Sequence, residues 1–334
     1  MANVVLIVSI DTEEDNWEPR RDGVTLGNIR ELRRLDGLLR KLGVRATYFT
    51  TYQVAAEPWT ADIVRSLAEG GHAEVGAHLH PWNTPPLDEP FLPRNTMLKN
   101  LPPGLQLAKL VSLTTALSEA LGAAPTIFRA GRYGLGPATV AALIQCGYRV
   151  DCSVTPFVNW QQTDDGPDFV GAPVDAYRLS AHGDVRRPEA AGPLLEIPVS
   201  VGYNRTPFAV WGSVRRALEA PALRPLHLAG VASRTGLVKR IVLNPEVATA
   251  GEMLTLSRRL IESGVHHLHA TWHSPTLRPG LSPFAETAAD VERLYTAIAA
   301  YVEGLSTITA LTFATVSEAA AMLDGTARAP TPSC

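Results

Sequence analysis

The first apolar run, Val4-Val5-Leu6-Ile7-Val8, is unbroken and mostly β-branched, and four acids, Asp11, Glu13, Glu14 and Asp15, follow it closely. Such a run reads as a short strand buried on both faces, as in a parallel sheet. The acids then fall where the strand gives way to its loop, the end of an α/β sheet at which chemistry collects. A solvated acidic turn would account for them equally well. Ile29, Leu32, Leu35, Leu39 and Leu42 recur at three- and four-residue spacing and predict an amphipathic helix, with Asn28 to cap its start and Gly43 its end. Further strands are predicted at 45–50, 73–78, 126–129, 148–153, 194–199, 265–272 and 307–313. Helices are predicted near 63–68, at 105–121, 137–146, 249–263 and 284–303, and in a short piece ending near Leu323. Residues 83–104 are proline-rich and aperiodic and read as a long loop. Segments 155–192 and 201–245 read as irregular; loops of that length are functional or carry small elements of their own.

Strands and helices alternate throughout, which predicts a parallel sheet with helices outside it, as a barrel or an open doubly wound sheet. No repeat or composition shift marks a boundary, so 1–325 is expected to form one domain with long loop insertions. Residues 326–334, small, polar and proline-containing, are expected to form a flexible tail. The composition, 46% hydrophobic and 19% charged over 334 residues, suits a chain with a large core. A net charge of -3 makes no electrostatic case for nucleic acid or an anionic membrane. No apolar run reaches the ~18 residues of a membrane span. Cys146, Cys152 and Cys334 are too few and scattered for a disulfide framework or a cysteine zinc site. The first strand begins almost at Met1 with no basic or cleavable leader, and a cytoplasmic protein is expected. Glycine-rich phosphate loops and a GxSxG elbow are both missing from the sequence.

Three groups of metal-competent side chains sit at predicted strand ends: the four acids; His78 and His80; and His269 and His273, with His266 and His267 nearby as ordinary strand histidines. Carboxylate oxygen with imidazole nitrogen suits zinc and similar divalent ions. Alternate residues of a strand share a face, so His78 and His80 can converge on one ion, and Asp11 and Glu13 pair in the same way. Two imidazoles and one carboxylate would leave positions open for water and substrate, as a catalytic site requires.

The order of these groups resembles the polysaccharide deacetylase family, carbohydrate esterase family 4. Ser9-Ile-Asp11-Thr-Glu13-Glu14-Asp15 is similar to its first motif, and Gly71-His72-Ala-Glu-Val-Gly-Ala-His78-Leu-His80-Pro to its metal-histidine motif. Phe128-Arg129-Ala-Gly131-Arg132-Tyr133-Gly134 resembles the third, Asp151-Cys-Ser153 the fourth and Trp272-His273-Ser274-Pro275 the fifth. The likeness spans roughly residues 4 to 320. There are departures. The family's second metal histidine falls where Trp82 stands, its paired acids become Asp11 and Thr12, and its third-motif proline becomes Gly131.

The resemblance implies a distorted (β/α) barrel of about seven parallel strands, and a hydrolase that removes an N-acetyl or other short N-acyl group from a sugar-containing substrate. It implies a divalent metal, zinc above all, with cobalt or nickel also suited, held by His78, His80 and Glu13, with Glu14 the rival carboxylate. Asp11 is then the catalytic base, His273 the acid, Arg129 the residue that holds Asp11, and Asp151 the residue that orients Arg129. Asp15 is expected to be solvated. A backbone N–H near Arg132 or Tyr133 would face the oxyanion. Trp17, Trp82, Arg132, Tyr133 and Trp160 are the expected substrate contacts, and Trp272 is expected in the core. Two other functions suit the same residues: hydrolysis of a non-sugar C–N bond such as a ureide or formamide, and glycan binding without turnover, which Trp82 in the histidine position would favour. No motif bears on oligomeric state.

Overall fold

The structure is a computed structural model that describes residues 3–220 and 227–324; the expected tail at 326–334 lies outside them. The long apolar run forms β1 (Asn3–Thr12), and the Ile29–Leu42 period forms a short 3-10 turn (Gly27–Glu31) running into α1 (Leu32–Lys41). β2 (Ala46–Thr50), α2 (Tyr52–Ala56), α3 (Pro58–Ala68) and β3 (Glu74–Leu79) follow. After the proline-rich loop come α4 (Pro103–Leu121), β4 (Ile127–Ala130), α5 (Pro137–Gln145) and β5 (Val150–Asp151). The two segments read as irregular hold short elements. β6 (Tyr177–Leu179) precedes β7 (Leu194–Glu196); β8 (Val201–Tyr203) pairs antiparallel with β9 (Arg240–Val242), and α6 (Phe208–Leu218) and α7 (Leu228–Arg234) lie between them in sequence. The chain continues through α8 (Ala250–Glu262), β10 (His267–His273), α9 (Ala288–Ser306), β11 (Ala310–Ala314) and α10 (Val316–Leu323).

The main sheet runs β10-β1-β2-β3-β4-β5-β7, all parallel, with β6 antiparallel outside β7. This is the expected distorted (β/α) barrel, a curled parallel sheet in which β1 lies between β10 and β2. β11 pairs with the first half of β1 and β2 with the second, so one strand edge serves two partners in succession. Single backbone bonds cross from the β7 side to β10. Ser200 N–H donates to His269 O at 3.1 Å, and Thr271 N–H to Leu243 O at 2.9 Å.

Strand parity positions the site. Val4, Leu6, Val8 and Ile10 face outward and pack with Leu32, Leu35 and Leu39 of α1. Val5 and Ile7 face inward and meet Phe49, Ile127, Cys152 and Ile197, while Val316, Ala319 and Leu323 of α10 join the same cluster. Each fully buried aliphatic side chain of this kind contributes ~1.5–3 kcal/mol. The inward series then turns polar, from Ser9 to Asp11, at the strand's C-terminal end. Among the described residues no helix is long and apolar enough to cross a membrane.

Candidate metal centre and active site

Glu13, just past β1, His78, near the end of β3, and His80, just past it, come together. All three are buried, and one donor atom from each lies within 4.8 Å of the others. Glu13 Oε2 is 3.2 Å from His80 Nε2 and 3.6 Å from His78 Nε2. The far nitrogens are engaged elsewhere: His78 Nδ1 with the Arg129 carbonyl at 3.1 Å, and His80 Nδ1 with Glu14 Oε1 at 2.8 Å. Such outer contacts orient the rings and leave both Nε2 atoms aimed inward, the arrangement of metal-binding histidines. Burial disfavours charge on His80, but Glu14 and Glu13 overcome it and raise the imidazole to about 10. Burial likewise works against ionised Glu13, yet hydrogen bonds from His78 and His80 hold its pKa well below the carboxylate range. An ionised carboxylate facing two converging imidazole Nε2 atoms would attract a divalent cation by its charge. The residues present therefore fit the expected ion.

Glu14 lies on the other side of His80, where it also accepts from Asn83 Nδ2 and from Thr51 Oγ1. Its carboxylate orients the ring from behind, whereas Glu13 shares the inward side. Asp15 is not solvated as expected. It is buried and accepts from Thr25 Oγ1 (2.7 Å), Gly27 N–H (2.8 Å), and Asn28 N–H (2.7 Å) and Nδ2 (2.8 Å). The acid itself caps the 3-10 turn, and Asn28, expected as the cap, is one of its donors. Trp82 is buried and stacks on His80, with centroids 4.1 Å apart. Gly131 explains one departure from the family motif: a Cβ there would lie 2.5 Å from His80 Cδ2 and 2.7 Å from the Leu79 carbonyl, so only glycine leaves His80 its place.

Asp11 sits beside this group. Its Oδ1 accepts from Arg129 Nη1 at 2.6 Å, and its Oδ2 lies 3.9 Å from His78 Nε2 and 3.8 Å from His273 Nε2. Burial pushes its pKa up, but Arg129, then His78 and His273, bring it below the usual value, so Asp11 is ionised at neutral pH. Arg129 is fully buried, stacked on the Phe49 ring, and donates further to Thr271 Oγ1, Ser9 Oγ and the Cys152 carbonyl. His269 Nε2 lies 3.0 Å from Arg129 Nη2, which can only donate. The ring therefore accepts there, and burial followed by the Arg129 charge keeps it neutral.

Asp151 does not orient Arg129 by direct contact, as the resemblance implied. It accepts from Ser153 Oγ (2.7 Å) and Ser153 N–H (3.1 Å), and Ser153 Oγ in turn accepts from Ala130 N–H. The backbone carbonyl of Cys152, just past β5, and not the Asp151 carboxylate, accepts from the guanidinium. Asp151 neighbours Glu196 across the β5–β7 ladder, and burial raises the pKa of both.

His273 ends β10 opposite Asp11. Its Nδ1 lies 2.8 Å from Glu246 Oε2, and its backbone N–H donates to Glu246 Oε1. Burial lowers its pKa, but Glu246, with Glu13 and Asp11 behind it, raises it to about 10, so the ring is an imidazolium at neutral pH. No sequence motif marks Glu246; its local signal is Asn244, whose side chain accepts from Glu246 N–H in a tight turn. His266 and His267 pair with Asp175 at the opposite end of β10, as expected of strand histidines.

These groups line a cavity of about 230 Å³ whose wall includes Trp17, Trp82, Arg132 and Tyr133. Trp17 meets His273 edge-on at 5.0 Å. Arg132 is fixed by Asp164 at 2.7 Å and by Thr96. Arg132 and Tyr133 both have left-handed φ, 54° and 57°, a costly conformation typical of functional turns. Trp160 does not line the cavity. It stacks behind Tyr133 and donates to Thr155 Oγ1. Trp272 is core, as expected.

The profile of the family described as polysaccharide deacetylase matches residues 30–150. No curated protein matches the sequence. Among solved structures, one from Mycobacterium smegmatis described as a polysaccharide deacetylase is 17% identical, with 99% of this chain and 93% of that chain covered and a TM-score of 0.57. An allantoinase is 11% identical over 97% of this chain and 91% of its own, also at 0.57. A family 4 carbohydrate esterase from Streptomyces lividans, in complex with acetate, is 19% identical over 48% of this chain and 69% of its own, at 0.33.

Proposed function

We propose that this chain, whose residues 30–150 match the polysaccharide deacetylase family profile, is a metal-dependent hydrolase of that family that removes an N-acetyl or other short N-acyl group from an amino sugar or sugar-containing substrate. One observation carries the reading. Asp11 Oδ2 lies between His78 and His273, at 3.9 and 3.8 Å, beside the Glu13-His78-His80 group. Glu13, His78 and His80 would hold the divalent ion, zinc above all, and a bound ion would supply Lewis acidity towards water and an amide carbonyl. Asp11, kept ionised by Arg129, takes a proton from the attacking water at Oδ2. His273, kept protonated by Glu246, gives a proton from Nε2 to the departing amine. A backbone N–H of the Arg132–Tyr133 turn would stabilise the oxyanion. The products are an amine and a short carboxylate, most simply acetate. The free thiols of Cys146 and Cys152 suit a cytoplasmic setting.

A second reading, hydrolysis of a small non-sugar C–N bond such as a ureide, gains support from the cavity's size. About 230 Å³ accommodates one small ring more readily than several sugar units. A panel of N-acetyl sugars, carrier-linked N-acetyl sugars, ureides and formamides, assayed for acetate, ammonia and formate release with zinc, cobalt or nickel added back, tests both. Acetate release from the sugars supports the first reading. Turnover confined to ureides or formamides replaces it with the second, and metal-loaded protein that binds sugars without turning over any substrate makes it a binding protein.

A further inference from the structure

Residues 81–89 leave the end of β3 directly after His80, and no helix or strand holds them. At their centre is the side chain of Lys109, from α4, which is fully buried. Its ammonium donates to the carbonyl oxygens of Pro81 (2.8 Å), Thr84 (2.7 Å) and Pro86 (2.6 Å), and lies 3.1 Å from Glu89 Oε2. Three carbonyl dipoles and a carboxylate converging on one point repel one another unless a cation occupies it, and no neutral side chain supplies three donors there. The loop in turn bears on His80. Asn83 N–H and Thr84 N–H donate to the His80 carbonyl, and Asn83 Nδ2 donates to Glu14, the carboxylate behind the His80 ring. Glu89 also accepts from Arg21, whose guanidinium donates to the Glu89 and Trp82 carbonyls as well. Arg21 belongs to the segment that carries Trp17 on the facing wall of the cavity.

We propose that Lys109 is a positioning residue for the site: a tethered cation around which residues 81–89 fold. It holds His80 and Trp82 in place and, through Glu89 and Arg21, ties this loop to the Trp17 segment. The consequence for metal binding rests on the function proposed above; the ordering of the loop does not.

Lys109→Ala removes the ammonium and the three outer methylenes, which together are the size of propylammonium. The test is hydrogen–deuterium exchange over residues 80–92, with zinc titration of the metal-free protein, for wild type, Lys109→Ala with and without propylammonium, and Lys109→Met. Exchange at Asn83 and Thr84 is expected to quicken in Lys109→Ala, with zinc affinity at least ~10-fold weaker, as for loss of an outer-shell partner. Propylammonium should reverse both changes there but not in Lys109→Met, whose side chain fills the space without charge. Wild-type exchange in either variant, or unchanged zinc affinity in Lys109→Ala, would overturn the proposal. If wild-type protein binds no zinc, the functional reading fails and exchange alone decides the role of Lys109. If Lys109→Ala does not fold, Glu89→Gln takes its place: faster exchange over 80–92 supports the proposal and wild-type exchange overturns it.

Discussion

Replacing Glu246 with glutamine removes one charge from its pair with His273 and keeps the shape. Oε2 of Glu246 is 2.8 Å from His273 Nδ1. Charge centres roughly 4 Å apart interact by about 4 kcal/mol at an effective dielectric of 20. The His273 side chain is 23% exposed, and solvent screening takes the useful figure to about 2 kcal/mol, or ~1.5 pKa units at about 1.4 kcal/mol each. The sign follows from which form Glu246 favours. It stabilises the imidazolium and, with Glu13 and Asp11, outweighs burial to raise the ring to about 10. Without it the ring loses its proton at lower pH, and an acid that must be protonated fails earlier on the alkaline side. The assay is an NMR titration of labelled histidine in wild type and Glu246→Gln, alongside kcat/KM against pH on a turned-over substrate. The His273 midpoint should fall by ~1–2 units, with the alkaline limb of kcat/KM falling in step. An unmoved midpoint would refute the electrostatic reasoning. A midpoint that falls while the limb stays put would refute His273 as the acid.

Asp11→Asn and His273→Ala should each lower kcat by at least ~10², with zinc affinity in the His273 variant close to wild type by titration. Asp15→Ala removes an acceptor of four hydrogen bonds and should cost about 2–3 kcal/mol in urea unfolding. Gly131→Ala sets a methyl against the His80 ring and should weaken zinc binding by ~10-fold or more while leaving the circular dichroism spectrum unchanged.

What could be read from the sequence follows from how local each signal is. β1 through β4 can be read from local sequence, and strand parity pairs His78 with His80 and Asp11 with Glu13, whereas Arg129 joins them only through the order of motifs that resembles the family. β6, β8 and β9 are three residues each, too short for a period to register, and the segments around them read as irregular. α2 has only five residues. The fates of the acids after Asp11 were settled by distant partners: Asp15 by Asn28, Glu14 by Asn83, and Glu13 by two histidines more than sixty positions away. Asp151 was assigned to Arg129 by motif order, yet its carboxylate bonds to Ser153, and Arg129 donates to the Cys152 carbonyl instead. Glu246 stands in a loop with no period or motif, and only the folded chain brings it to His273.

The central claim is that Glu13, His78 and His80 hold the ion on which hydrolysis depends. The most direct measurement is metal stoichiometry by elemental analysis and titration for wild type, Glu13→Gln and Glu14→Gln. The account predicts one divalent ion per wild-type chain, loss of that ion in Glu13→Gln, and retention with ~10–100-fold weaker affinity in Glu14→Gln. A wild-type chain that binds no divalent ion, or a Glu13→Gln chain that keeps it with undiminished affinity, would contradict it.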